Sequence, residues 1–349
     1  MPHRLVALGL LLCSGACAPE GPAPPRSGQT AEVFDEMSRV ALDTAIVATI
    51  GRLNDILPLD DRILVADRMT DRVLSFAPDG RFQGAIGRRG EGPGEFRTPL
   101  ALLEDLDGTI LVADASDRLT RLSRALELVE VHRPEVPMIV GGLAMLRDTI
   151  VLFQPSGRES GDNFALWDRH VGTIASFDRR SELVLQVPYW SAAWSTLWAR
   201  AGAHLFVADN MVYPIRRYTL DRQLIDSVGT APPSWKQARR PELGEFARTD
   251  ATGRQAGAEE WLRSFTRIDG LFALDDEWLL VTHRDRVNQY ETEDVLRADL
   301  YALGPEFRKV WEDVPLPGPV LRGGACAWVI VAVPPEPWTL ACWIARAPA

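Results

Sequence analysis

The segment Asp55–Phe96, DILPLDDRILVADRMTDRVLSFAPDGRFQGAIGRRGEGPGEF, decides the fold. It contains three short apolar runs, Ile63–Ala66, Val73–Phe76 and Phe82–Ile86, each bounded by Asp, Gly or Pro. Short runs of β-branched and aromatic residues between turn formers predict β-strands. Asp79-Gly80 supplies the positive φ of a tight hairpin turn. A unit of this size cannot bury both of its faces alone, so it needs copies of itself to stack against.

Copies of the first run recur along the chain as an apolar stretch that mostly ends on a polar residue. They are Ile63–Asp67, Ile110–Asp114, Ile150–Gln154, Leu205–Asp209 and, more weakly, Leu279–His283 and Val329–Val333. A repeat of roughly 40–50 residues with about four strands is typical of a propeller blade. The six copies therefore predict an all-β fold, a six-bladed β-propeller over residues 31–349.

Residues 1–17 have the features of an export signal. The apolar stretch Leu5–Leu12 follows a short basic region and is too short to span a bilayer. The sequence Ser14–Cys17 resembles the lipobox of bacterial lipoproteins, although that family usually has Leu where this chain has Ser14. The resemblance implies acylation of Cys17. The alternative is ordinary secretion after cleavage beside this cysteine.

The residues after the signal predict a flexible tether. Ala18, rather than Asp, follows Cys17, and by the same resemblance this favours delivery to the outer membrane. Residues 18–30 hold four prolines and two glycines and no large apolar side chain, so they cannot build a core. We expect an exported lipoprotein of the outer membrane or facing the periplasm, or otherwise a secreted protein.

The overall charge argues against several classes of partner. The chain has a formal net charge of −10 and no long basic run. Nucleic acid and anionic membrane surfaces are therefore excluded as expected partners. We expect membrane contact only through the lipid anchor, and a monomeric protein.

Two cysteines lie in the final repeat. Cys326 and Cys342 flank the loop Pro334–Pro337, which predicts a hairpin that brings them onto adjacent antiparallel strands. In an oxidising compartment they would form a disulfide. The alternative is a pair of buried thiols that pack as small hydrophobes.

The final repeat has no room for a fourth strand before the sequence ends, whereas residues 41–50 carry strand-like apolar residues. We expect this N-terminal segment to pair with the strand at 338–345, which would close the ring without a free sheet edge. The alternative is a loose N-terminal strand and two exposed edges.

A glycine-rich segment, Gly87–Phe96, precedes the sequence DLDGTILVAD at Asp105–Asp114. Together they resemble the NHL-repeat group of six-bladed propellers, strongly over residues 50–130 and more weakly elsewhere. The glycines permit positive φ and close approach of the chain, and we expect Phe96 to lie between neighbouring blades. A phosphate-cradling loop is disfavoured, because no Lys-Ser/Thr follows.

The repeats are less regular in the middle of the chain. Residues 231–267 form the largest insertion, in which 242–247 and 259–265 predict short helices. This partly helical insertion either caps one mouth of the channel or is a solvated loop. Three tryptophans stand at helical spacing, Trp190, Trp194 and Trp198. We expect them to pack between blades rather than to form an aromatic platform that binds a sugar.

The candidate binding residues come from the repeats. Asp67, Asp114 and Asp209 share one repeat position, which Gln154 and His283 occupy in other copies. These residues either form a polar ring around the channel or cap the turn that follows each strand. The periodic recurrence favours the second role.

Propeller enzymes use recognisable metal ligands. Lactonase-like propellers use a Glu/Asn/Asn/Asp calcium cluster, and amidating-lyase-like propellers bind zinc through several histidines. In this chain His204 precedes one repeat strand and His283 ends another, so the two could converge across the channel, but the histidines have no close ligand spacing. Nucleophile-elbow, Walker and clustered Cys/His motifs are absent from the sequence.

We therefore expect a binding or scaffold module without catalysis, cofactor or metal, whose partners are proteins, peptides or cell-envelope carbohydrate. The alternative is a metal-dependent hydrolase or lyase of the lactonase or amidating-lyase type, and a third hypothesis is a sensor of a small polar ligand. The binding candidates are Asp67, Asp114, Asp209, His204 and His283.

Overall fold

A computed structural model describes residues 24–43, 50–135, 138–147, 150–155, 161–179, 196–238, 260–261, 263–285, 294–304 and 307–347. These residues form six β-sheets and the short helix α1 (Thr30–Val33). The predicted all-β propeller is confirmed. The predicted signal at 1–17 lies outside the described residues, and in the described part no helix is long and apolar enough to cross a membrane.

The strands of the first half of the chain are short and mostly separated by turns. They are β1 (Arg26–Ser27), β2 (Phe34–Ala41), β3 (Leu53–Pro58), β4 (Ile63–Asp67), β5 (Arg72–Phe76), β6 (Phe82–Ile86), β7 (Pro99–Glu104), β8 (Ile110–Asp114), β9 (Arg118–Leu122), β10 (Leu128–His132), β11 (Met138–Arg147), β12 (Ile150–Pro155), β13 (Asp162–Asp168) and β14 (Gly172–Arg179).

The second half continues the pattern. Its strands are β15 (Thr196–Ala201), β16 (His204–Asp209), β17 (Ile215–Thr219), β18 (Leu224–Val228), β19 (Thr266–Leu274), β20 (Trp278–Asp285), β21 (Val295–Ala302), β22 (Arg308–Pro315), β23 (Val320–Arg322), β24 (Ala327–Ala332) and β25 (Thr339–Ala345).

Each sheet is one blade. Blades one to five are β3–β6, β7–β10, β11–β14, β15–β18 and β19–β22, and blade six contains β23, β24, β25 and β2. The first strand of each blade is innermost. Innermost strands of successive blades contact one another from β3 to β19, β19 pairs with Gly324 just after β23, and β23 contacts β3, so the ring is closed. We call the face where innermost strands begin the upper face, and the opposite one the lower face.

In blades one, two, four, five and six, the second strand packs against both neighbouring blades. In β4, Ile63 and Val65 pack towards blade six, whereas Leu64 and Ala66 pack towards blade two. Both faces of a blade are covered by neighbours, so the strand is a continuous apolar run rather than an alternating one. One hydrophobic cluster fills each of the six seams between blades.

An N-terminal strand closes blade six, but not the one that the sequence predicted. Residues Phe34–Ala41 pair with β25, with Val40 opposite Leu340, whereas the prediction was the segment 41–50. In β2 only Phe34 and Val40 are buried, because this outermost strand faces solvent over most of its length. The apolar Leu42 is buried instead in the seam between blades six and one.

The prediction that residues 18–30 form a flexible tether is wrong near the end of this segment. Arg26 and Ser27 pair in parallel with Trp311 and Glu312 of β22 and add a fifth strand to blade five. An extended chain can join a sheet edge through its backbone alone, so a proline-rich composition did not prevent this contact.

Cys326 and Cys342 are joined by a disulfide, with their Cα atoms 5.6 Å apart. The bond ties the start of β24 to β25, the strand with which the closing strand β2 pairs.

The large insertion lies between β18 and β19, as expected from its position in the sequence. Residues 239–259 lie outside the described residues, and so does the helix predicted at 242–247. Residues 260, 261 and 263 are helical just before β19. Trp190 and Trp194 also lie outside the described residues, and Trp198 in β15 packs in the seam between blades three and four.

Candidate functional site: the central channel

The innermost strands enclose a cavity of about 870 Å³ on the axis of the ring. Every blade contributes to its wall, because each blade presents its first strand there. The polar residues of the wall are Asn54, Asp55, Arg200, Asp269, Asp275, Asp276 and Arg322.

The channel wall has a polar character that does not depend on side chains alone. An innermost strand is a sheet edge, so the N–H and C=O groups that point away from its neighbour are left for other partners. Some of these groups form hydrogen bonds between blades. The Asn54 side chain of blade one, for example, donates to the Leu100 carbonyl of blade two over 2.6 Å.

Arg322 joins three blades across one side of the channel. From β23 of blade six, its guanidinium donates to the Ile56 carbonyl of blade one and, over 2.7 Å, to the Leu102 carbonyl of blade two. It also lies 3.8 Å from the Asp55 carboxylate. A planar guanidinium with five N–H donors can serve several acceptors at once.

Asp55 is the carboxylate most deeply set in the wall. Its oxygens accept the N–H groups of Ile56 and Leu102, both over 2.8 Å. Burial raises the pKa of Asp55 above its ordinary value of 3.8, and the nearby Arg322 and the two N–H donors oppose this rise. The carboxylate thus ties blade one to blade two rather than standing open to a cation.

The lower mouth carries more accessible charges of both signs. Arg200 is exposed and donates to the Met145 carbonyl over 3.1 Å. Asp276 is also exposed and accepts the Gly202 N–H over 2.8 Å. This mouth can therefore present a cation and an anion to a polar ligand.

The three repeat aspartates lie at the upper ends of second strands, outside the channel wall. Asp67 is fully buried and accepts N–H groups of Gly51, Arg52 and Met69 and the Thr70 hydroxyl. It holds the chain that enters β3 and the turn after β4, so the capping role describes it better than ligand binding does.

Asp114 and Asp209 occupy the position equivalent to Asp67 in blades two and four. Each pairs with an arginine of the third strand of its own blade. The Arg118 guanidinium lies 2.7 Å from Asp114, and the Arg216 guanidinium lies 2.8 Å from Asp209. Burial raises the pKa of Asp209, and Arg216 opposes that effect. Gln154 at the equivalent position donates to the Thr196 carbonyl of blade four.

The glycine-rich loop encloses a cation of the protein itself. Arg118, whose side chain is only 1% exposed, donates to the carbonyls of Glu91 and Glu95 over 2.7 and 2.8 Å. The loop N–H groups of Gly90, Gly92 and Phe96 are bonded within the loop. A loop that points carbonyls inwards cannot cradle a phosphate.

The expected position of Phe96 is confirmed. Its side chain is fully buried in the cluster between blades one and two. At Gly87 the φ of +102° and the closeness of the Phe96 ring leave no space for a Cβ atom.

His204 and His283 do not converge across the channel. His204 begins β16 at the lower face, opposite Ala201, whereas His283 lies near the upper end of β20, opposite Ile268. Neither histidine lines the cavity. His283 is fully buried within blade five beside Asp299.

The arginines that pair with the repeat aspartates and the residues of the channel wall were not predicted from the sequence. The arginines had a usable signal, because Arg72, Arg118 and Arg216 each stand at or near the start of the third strand of a blade. The residues of the channel wall had no such signal in the sequence, because the innermost strands share no recurring motif.

Comparisons with known proteins agree with this architecture. The chain is similar to a family described as a six-bladed β-propeller, whose model matches residues 26–118. No curated protein matches the chain. A solved structure from Bacteroides fragilis, of a protein inferred to be exported, has 14% identity and a TM-score of 0.61, and the match covers 93% of this chain and 98% of that one.

A second solved structure, from Bacteroides vulgatus, belongs to a family of unknown function. It has 12% identity and a TM-score of 0.63, and the match covers 90% of this chain and 98% of that one. At these identities the likeness shows the fold alone.

Proposed function

We propose that this chain is an exported propeller, anchored through Cys17, that binds a polar ligand at the lower mouth of its central channel. The ligand class is a peptide or a cell-envelope carbohydrate. The observation that carries the proposal is the cavity of about 870 Å³, since ligand pockets commonly measure roughly 300–1,000 Å³. Export is supported by the signal-like residues 1–17 and by the likeness to the Bacteroides fragilis protein.

The polar chemistry of the wall favours a peptide or a sugar over an apolar ligand. Both classes offer hydroxyl or amide groups that match the backbone donors and acceptors of innermost strands. Exposed Arg200 and Asp276 at the lower mouth supply charges of both signs for orientation.

The alternative of a channel hydrolase or lyase has less support. The described residues of the wall include no histidine or cysteine. The carboxylate of Asp55 faces Arg322 and two N–H donors, and Asp269 pairs with Arg284 over 2.8 Å. Carboxylates already held by cations and N–H groups are poor ligands for calcium.

A protein partner is a second candidate, because the outer edge of blade two exposes apolar side chains. Leu128, Val129 and Val131 of β10 are exposed on that strand. The corresponding edge of blade five already accepts β1 as an added strand. An extended peptide could add to β10 through the same backbone bonds.

The two candidates are separated by calorimetric titration of the purified chain with peptidoglycan-derived peptides and oligosaccharides. For channel binding, Ala325→Trp and Arg200→Ala should each weaken binding at least about tenfold, which is ~1.4 kcal/mol. Val129→Lys on β10 is the matched control and should bind as the unmodified chain does. Loss of binding in the control alone would instead assign the ligand to the edge of blade two.

A further inference from the structure

Three strands of blade five bring together a histidine and two aspartates. His283 of β20 lies with its Nε2 atom 3.4 Å from Asp299 Oδ1 of β21 and 3.8 Å from Asp313 Oδ1 of β22. One ligand atom from each residue lies within 4.8 Å of the other two. His283 and Asp299 are fully buried, and the Asp313 side chain is 17% exposed.

Hydrogen bonds turn one oxygen of Asp299 towards the histidine. Its Oδ2 atom lies 2.8 Å from the Lys309 ammonium and accepts the Tyr213 hydroxyl over 3.2 Å. Its Oδ1 atom faces His283 and accepts the Asp313 N–H over 3.0 Å. Outer contacts of this kind orient carboxylates that bind metals.

Residues 234–236 at the start of the large insertion, here called the covering segment, orient Asp313. Its carboxylate accepts the Ser234 N–H over 3.0 Å and also the Ser234 hydroxyl. The Trp235 ring lies beside His283, with the ring centroids 6.5 Å apart. The three polar groups are thus covered by residues that follow blade four.

The cluster carries more negative than positive charge. Among the described residues, Lys309 is the one lysine or arginine that pairs with either aspartate. Lys309 balances one of the two carboxylate charges, and the other favours a bound cation at this largely buried place.

We propose that His283, Asp299 and Asp313 bind one divalent transition-metal ion, with zinc as the best match. An imidazole nitrogen and carboxylate oxygens are ligands that zinc accepts. Tetrahedral zinc with bonds of about 2.0–2.2 Å places its ligand atoms about 3.3–3.6 Å apart. The distances from His283 Nε2 to the two aspartate oxygens, 3.4 and 3.8 Å, are close to this spacing.

The ion would have a structural role. It would link three adjacent strands of blade five and, through Asp313, hold Ser234 against that blade. None of the three ligands lines the channel. The site is therefore independent of the ligand proposed for the channel.

The first test is the metal content of the purified full chain after dialysis against metal-free buffer. Elemental analysis should find about one zinc per chain. Removal by a chelator should lower Tm, and zinc at about 100-fold above its Kd should restore it by roughly 5 °C. Cobalt in place of zinc should give the visible absorption of a tetrahedral site.

Asp313→Asn tests the assignment of the ligands. The amide keeps an acceptor for Ser234 and removes the ligand charge, so the variant should lose the bound zinc and the rise in Tm. Asp285→Asn is the matched control. Asp285 pairs with Lys236 of the same covering segment over 3.0 Å but lies outside the cluster, so its variant should keep both responses.

The proposal is overturned if the unmodified chain holds no transition metal and zinc leaves Tm unchanged. It is also overturned if Asp313→Asn retains the full zinc content, or if calcium alone raises Tm. Loss of zinc from Asp285→Asn as well would show that the metal depends on the covering segment rather than on the three ligands, and would also count against it.

Discussion

At the scale of single residues, arginines paired with buried aspartates hold the connections between blades. Arg118 joins the glycine-rich loop to Asp114, and Arg216 joins Asp178 of blade three to Asp209 of blade four. Arg118 serves a carboxylate and loop carbonyls, and Arg216 pairs with two buried carboxylates. The periodic aspartate and its arginine are thus one structural unit.

Arg118→Met should destabilise the protein by about 3–5 kcal/mol, because breaking a buried ion pair leaves Asp114 uncompensated. The loop carbonyls would lose their donors as well. Urea unfolding followed by tryptophan fluorescence measures the change. Arg88→Met is the control, since Arg88 is 81% exposed in its pair with Glu95, and its unfolding midpoint should not move. Equal midpoints for the two variants would contradict the structural role of Arg118.

The site residues show what the sequence could reveal. The repeat position of Asp67, Asp114 and Asp209 predicted a capping role, and each carboxylate is indeed bonded to turns or arginines. The cluster around His283 could not be found, since its partners Asp299 and Asp313 lie on separate strands with no motif to join them. Only the pairing of β20, β21 and β22 brings them together.

At the scale of elements, burial on two sides explains which strands could be predicted. The second strands carry continuous apolar runs, and these runs gave the repeat. Outermost strands need few apolar residues, so β2 with only Phe34 and Val40 buried has almost no hydrophobic signal. The sequence therefore favoured 41–50, where Leu42 and Ile50 are apolar because they fill a seam.

Breaking the closing strand should expose the edge of β25. The double substitution Arg39→Pro with Val40→Pro removes backbone donors opposite Ala341 and Leu340. We expect a lower thermal midpoint and self-association, because an unpaired edge recruits other strands. Size-exclusion chromatography and thermal unfolding measure both. Arg39→Ala is the control and should remain monomeric; a monomeric double variant with an unchanged midpoint would contradict the role of β2.

At the scale of the whole molecule, the number of blades followed from counting repeats, whereas the channel did not. Repetition sets the architecture because each blade can bury its faces only against neighbours. The channel depends on how six unlike innermost strands are brought together. Arg322, which joins three of the blades, has no counterpart in the other repeats that would mark it.

Arg322→Met should weaken the ring and change its response to pH. Losing hydrogen bonds from a charged group costs about 1.5–3 kcal/mol each. The variant also removes the cation that opposes the raised pKa of Asp55. A carboxyl whose folded pKa exceeds its unfolded value of 3.8 loses stability as pH rises through the folded pKa.

The midpoint of the Arg322→Met variant should therefore fall further below that of the unmodified chain as pH rises from about 4 to about 7. Thermal unfolding across this range is the measurement. Arg62→Met is the control, because Arg62 pairs with Asp61 in a turn of one blade. A constant difference between variant and unmodified chain at every pH would rule out the contribution of Asp55.

The pairing of β2 with β25 has a consequence for biogenesis. Almost the whole polypeptide separates these two strands, so the ring cannot close until Thr339–Ala345 has been synthesised. A nascent chain interrupted before that point would keep an open blade, however well its earlier blades had formed. Closure of the ring therefore requires a chain that extends through β25, and a shorter product would expose the unpaired edge of its last blade to proteases.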